Sequence, residues 1–252
     1  MQVTGPARAG REPPRFSREG LKFLTHLRKH NNRPWFQVRK QIYEQTVKAP
    51  MVELILALQQ AFRGMAPEMV ADPQVSLYRI YRDTRFSRDK SPYKTHAAAV
   101  FPVRGLPKNS GPSLYFHVSA EEVLIGGGMY MPEPAVLRAV REDIAAFPKK
   151  FLSIVEGKKF RKAFGELEGE QLRSMPKGFA ADHAAAKYLR YKQFLFGEVH
   201  PPELALNPRL LKTILRCFQE GMPLIRFLKE PASRAAALSL QQDTLLSKPR
   251  LP

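Results

Sequence analysis

The chain has 252 residues, 44% hydrophobic and 10% aromatic, a composition that supplies a packed core and excludes disorder over most of its length. Its formal charge is +18, and the two ends, residues 1–15 and 231–252, contribute two charges each, which leaves +14 on the part between them. A surplus of that size raises the local concentration of nucleic acids, anionic surfaces and phosphorylated metabolites alike, without choosing among them. The single cysteine, Cys217, has no intrachain disulfide partner and reads as a small buried hydrophobe. No apolar run reaches the roughly 18 residues of a membrane span, and the N-terminus shows no signal-peptide core, so a cytoplasmic location is expected.

In chain order, residues 1–15 are rich in Pro, Gly and Arg and read as a flexible basic arm. Ser17 then caps a helix with Leu21, Phe23, Leu24 and Leu27 on one stripe. Pro34 and Pro50 each stand where a first helical turn accepts proline, opening a second helix (Trp35, Phe36, Val38, Ile42, Tyr43) and a third (Met51, Leu54, Ile55, Leu58, Phe62). From Val75 the period changes to two, which predicts a strand with Val75, Leu77, Arg79 and Tyr81 on one face. Residues 97–103 read as a further strand, and 113–118 with 123–127 as a hairpin turning at 119–122. A helix after Pro134, short basic helices, a strand over 189–199 and a long helix from Asn207-Pro208 follow, before a loose tail over 231–252. No repeat or linker interrupts residues 16–230, so the expected fold is a single α+β domain with an antiparallel-rich sheet packed by helices.

The most informative segment is residues 79–94, RIYRDTRFSRDKSPYK, with six cations, two carboxylates and three aromatics. Guanidinium forks grip phosphate and carboxylate in bidentate fashion, so Arg79, Arg82, Arg85, Lys90 and Lys94 are candidate ligands of a small-molecule anion. The alternative is a set of surface ion pairs. Arg79 decides between them: on an apolar strand face it would be desolvated and would require a carboxylate or a ligand. Asp83 and Asp89 are candidate general bases for phosphoryl or acyl chemistry, and Tyr93 and Tyr115 candidates for orienting the ligand. Tyr115 and His117 share the hairpin face opposite Leu114, Phe116 and Val118.

Gly126-Gly127-Gly128 reads as a strand end from which Gly127 approaches a phosphate, or as a bulge. Two Ser-x-x-Lys matches, at Ser87 and Ser91, lack the companion motifs of serine-acylating enzymes, and Pro92 disfavours the helix that chemistry requires. His26 with His30, and Asp182 with His183, lack a third ligand and sit among cations, so neither metal nor cofactor is expected. Lysine and arginine clusters at 149–150, 158–162 and 190–192 interleave with Phe151, Phe160 and Tyr191, the pattern of a single-strand nucleic-acid surface or of solvated helix faces over core aromatics. Neither a membrane association nor an obligate protein partner is indicated.

Across residues 16–230 the chain resembles the domain of unknown function 2461 family. The resemblance is carried by Asn31-Asn32 followed by Trp35-Phe36, the whole run 79–94, the triple glycine, Pro176-Lys177-Gly178-Phe179 and Asp182-His183. Ala184 departs from it, standing where members carry proline. The resemblance implies a single α+β domain and no established activity.

Overall fold

The computed structural model describes residues 12–246, with side chains as far as residue 239. Helix α1 (Arg18–Lys29) begins where the Ser17 hydroxyl accepts the Gly20 amide at 3.2 Å, and it buries Phe23, Leu24 and Leu27. Asn32 accepts the Trp35 amide at 3.0 Å to start the short α2 (Arg33–Gln37), with Pro34 in its first turn. The chain then runs through α3 (Lys40–Tyr43), a π-helical turn over Glu44–Lys48 and α4 (Ala49–Met65), which buries Met51, Leu54, Ile55, Leu58 and Phe62. The expected second and third helices therefore nearly merge. The π turn holds helical geometry up to Pro50, whose missing N–H falls in the first turn of α4, where it is tolerated.

The alternating strand expected from Val75 is absent. Asp72 accepts the Gln74 amide at 2.7 Å and Pro73 opens a single helical turn, α5 (Pro73–Ser76). A capping aspartate followed by proline starts a helix whatever β-branched and aromatic residues come next. Leu77 afterwards borders the sheet through an isolated bridge to Ala99, and Tyr81 bridges to Tyr93 ahead of the first strand.

The sheet itself is antiparallel, with strands β1 (His96–Pro102), β2 (Ser113–Ser119), β3 (Val123–Met129) and β4 (Phe194–His200) in sequential order. One face, with Ala99, Phe101, Leu114, Phe116, Val118 and Ile125, forms the core against α4 and α10 (Leu210–Leu246); Phe101 lies 5.5 Å from Phe62 and 5.7 Å from Phe218, centroid to centroid. Between β3 and β4 come α6 (Pro134–Ala146), α7 (Pro148–Val155), α8 (Lys158–Phe164) and α9 (Ala186–Leu189), which shortens the expected 189–199 strand at its start. Together these elements make one α+β domain.

The triple glycine lies inside β3, not at a helix N-terminus. A side chain at Gly126 would overlap the Phe196 carbonyl, and one at Gly127 would meet the Ser113 carbonyl at 2.7 Å and the Phe196 ring at 2.9 Å. The same ring packs on Gly221 of α10. These glycines seat β3 against its neighbours and a phenylalanine, so Gly127 contacts core and sheet rather than a phosphate.

The C-terminal segment is also corrected as far as it is described. Helix α10 continues through Pro223 and Pro231 to Leu246, with Ala232 and Ala235 buried and Arg234 ion-paired to Asp143 of α6. Packing on α6 outweighs the helix-breaking tendency of Pro231. Residues 1–11 of the expected arm and 247–252 of the expected tail lie outside the described residues.

Candidate functional site

The basic segment divides into three parts. In the loop from Arg82 to Ser91 the charges other than the exposed Arg88 engage one another or the backbone. Arg85 holds Asp83 through two side-chain hydrogen bonds of 3.0 and 2.7 Å, and Arg82 pairs with Asp89. Lys90 donates to the Thr84 carbonyl at 2.9 Å, and Asp89 also accepts the Ser91 amide at 2.9 Å. Hydrogen bonds from Arg85 hold Asp83 down at about 2, and those from Ser91 and then Arg82 hold Asp89 well below the usual carboxylate range. Both carboxylates are therefore ionised, poorly basic and already occupied, which disqualifies them as general bases in this arrangement. Arg85 is 78% exposed and Phe86, beside it, 95% exposed.

The second part is structural. Tyr93, expected to orient a ligand, is 1% exposed and stacks on Phe36 with ring centroids 4.1 Å apart. The Asn31 side chain accepts the Tyr93 amide at 3.0 Å and donates to its carbonyl at 2.9 Å. That pairing explains the Asn31-Asn32 and Trp35-Phe36 motif: Asn31 pins Tyr93, Asn32 caps α2, and Phe36 receives the ring.

The third part holds the remaining cations. Arg79 is exposed and has no ion pair or hydrogen bond among the described residues, contrary to the buried, acid-paired position expected of it. Without the regular strand, no apolar face carries it inward. It lines a cleft of about 260 Å³ with Lys40, Glu44 and Lys48, where neither Arg82 nor Arg85 enters. Lys94 turns the other way, its ammonium 4.6 Å from the centre of the Tyr78 ring, and Lys108 stands 4.5 Å from the same ring. Burial and then Arg79 push Lys94 below the ordinary lysine value; burial and then Lys94 do the same to Lys108. Among the described residues no carboxylate pairs with Arg79, Lys94 or Lys108.

Beside these lysines the non-core face of the sheet carries a hydrogen-bonded chain. The Tyr115 hydroxyl is 3.1 Å from His117 Nδ1, and His117 Nε2 is 3.2 Å from Glu122 Oε1. The His96 ring lies 5.0 Å from that of His117. Burial, His117 and Lys94 lower His96 to about 4, and burial lowers His117 despite the opposing pull of Glu122, so both imidazoles are neutral at neutral pH. Burial pushes the Tyr115 phenol up. The alternation of β2 gave Tyr115 and His117; Tyr78, His96, Lys108 and Glu122 were missed. Extending the period of two from Lys94 to His96 would have added one of them, whereas Lys108 arrives on a loop after Pro107 and carries no local signal.

The other motifs are absorbed by the fold. Both ring nitrogens of His183 are engaged by the backbone, one 3.1 Å from the Ala145 carbonyl and the other accepting the Ala185 amide at 3.0 Å. Phe151, Phe160 and Tyr191 are buried, so the aromatics among the basic helices are core residues without a free face for stacking bases. Burial likewise raises the Cys217 thiol out of the reactive range. No helix among the described residues is long and apolar enough to cross a membrane.

An α+β domain with a basic segment folded this way defines a class by its architecture and not by a known reaction. The chain belongs to the family described as conserved hypothetical protein (DUF2461), whose model matches residues 19–227. No curated protein matches it.

Proposed function

We propose that the protein binds a phosphorylated or carboxylated small-molecule anion at Lys94 and Lys108, over the ring of Tyr78. The observation that carries the reading is two ammonium groups 4.6 and 4.5 Å from the centre of one ring, neither paired with a carboxylate among the described residues and both partly withdrawn from water. Like charges held together cost free energy that a bound anion offsets, and charge-assisted hydrogen bonds in a partly dry site stabilise by about 1.5–3 kcal/mol each. Arg82 and Arg85 already hold carboxylates, whereas Lys108 donates only to the Val75 carbonyl and Lys94 rests on the Tyr78 ring, so the binding function narrows to these two ammonium groups.

Thermal unfolding with pyrophosphate and with citrate tests this. Either anion should raise the melting temperature of the wild type in a saturable way, following the logarithm of ligand over dissociation constant. The shift should disappear in Lys94→Ala and persist in Arg82→Ala. Equal shifts in both variants, or none in the wild type, would remove the proposal.

A further inference from the structure

We infer that Tyr115, His117 and Glu122 form a nucleophilic relay on the non-core face of the sheet, in which Tyr115 attacks the phosphorus of a phosphate ester held by Lys94 and Lys108. The substrate class rests on the anion reading above; the chemistry rests on the hydrogen bonds of the chain itself.

The tautomer follows from the partners. An ionised Glu122 accepts only from an Nε2–H, which leaves Nδ1 of the neutral imidazole as a lone pair, and the Tyr115 O–H donates to it. That is a nucleophile hydrogen-bonded to a base whose orientation a carboxylate fixes, the arrangement by which weakly acidic hydroxyls are activated. Tyr115 stays neutral at rest, so its proton leaves only as the attack proceeds. Access comes from the strands beyond: Tyr115 pairs across the sheet with Gly126, and Gly126 with Gly197, so no side chain rises on that side of its ring. On the other side, the charge of Lys94 reaches His96, whose ring neighbours His117. Both lysines flank the ring of Tyr78, whose amide donates to the carbonyl of Ala98, the cross-strand partner of His117, so the cations lie on the His117 side of the relay, where a reacting phosphoryl group needs positive charge.

In the first step a bond forms between Tyr115 Oη and phosphorus, the phenolic proton passes to His117 Nδ1, and the P–O bond to the leaving group breaks. The departing alkoxide takes the proton from His117 and leaves as an alcohol. A water molecule then attacks the phosphotyrosyl group and gives its proton to His117. The tyrosyl P–O bond breaks, and the imidazolium returns that proton to Tyr115. The sum is ester plus water giving alcohol plus phosphate.

A fluorophosphonate probe reports the first half of this cycle, because loss of fluoride leaves a stable adduct. Peptide mapping after incubation should place the adduct on Tyr115 among the eight tyrosines. Labelling should slow at least tenfold in His117→Asn, and pyrophosphate should protect. Glu122 is a positioning residue, so Glu122→Gln serves as a second variant at a half-exposed position that tolerates substitution. Because Glu122 favours the protonated imidazole, that variant should also move the acid limb of the labelling rate to lower pH, with His96 of the facing strand and Lys94 just before it left in place. A Tyr115 that stays unlabelled, or is labelled equally fast in His117→Asn, overturns the relay. If pyrophosphate still stabilises the wild type through Lys94 while no adduct forms, the relay fails and the anion site stands. If Tyr115 is labelled through His117 but pyrophosphate neither binds nor protects, the phosphate-ester substrate is wrong.

Discussion

The loop from Arg82 to Ser91 carries more charge than the sheet face beside it, yet the two use their cations in opposite ways. In the loop the two carboxylates are taken by guanidinium groups within a few residues, Asp83 by Arg85 and Asp89 by Arg82. On the sheet face, Lys94 and Lys108 share an aromatic ring and no carboxylate. A count of arginines and lysines therefore says little about where an anion binds. Pairing and burial decide it, because a solvated guanidinium already holding a carboxylate has little attraction left for a ligand while a half-dry ammonium without one has much.

The largest expected effect separates scaffold from site within the motif. Tyr93→Ala should destabilise the fold by about 3–5 kcal/mol, the usual cost of emptying a buried aromatic position, as read by urea unfolding. A loss below about 1 kcal/mol would mean that Tyr93 is not the anchor of the segment.

Acid titration distinguishes the two regions directly. His96 has a folded value of about 4 against an ordinary 6.5, so the fold favours its neutral form. Its contribution is complete above about pH 6.5 and lost as pH falls toward 4, on the order of 2–3 kcal/mol in all. Asp83, lowered from 3.8 to about 2, contributes above 3.8 and loses that contribution only below it, as pH falls toward 2. His117 is lowered as well, so stability measured against pH should show a limb below 6.5 that loses part of its height in His96→Gln and is unchanged in Asp83→Asn. A limb left at full height in His96→Gln would assign it elsewhere.

The smallest effects belong to exposed arginines. Arg79→Ala and Arg85→Ala should each change unfolding stability by less than about 1 kcal/mol. For Arg79 this reverses what a buried, acid-paired position would require. A loss of about 3 kcal/mol would restore that expectation.

The fold was legible where local chemistry agreed with long-range packing. Ser17, Pro34 and Pro50 announced helices, and the alternation in β2 marked the hairpin and its two faces. Reading failed where a period of two ran over an overlooked Asp72-Pro73 helix start, which misplaced Arg79. It failed again at Gly127 and Pro231, where packing against Phe196 and against α6 overrides local preference. For the site, the sequence gathered the right cations with the wrong ones, since Lys94 and Arg82 look alike until their neighbours are known. Lys108 and Tyr78 come from opposite sides of β1, and only the folded sheet brings them together.

The most direct test is isothermal titration of pyrophosphate into three proteins: the wild type, the Lys94→Ala/Lys108→Ala double variant and the Arg82→Ala/Arg85→Ala double variant. Losing two charge-assisted contacts at about 1.5–3 kcal/mol each should weaken binding by roughly 100-fold or more in the lysine variant. The arginine variant should bind within about threefold of wild type, because its cations are engaged with Asp83 and Asp89. The reverse pattern, with the arginine pair needed and the lysine pair dispensable, would contradict the account.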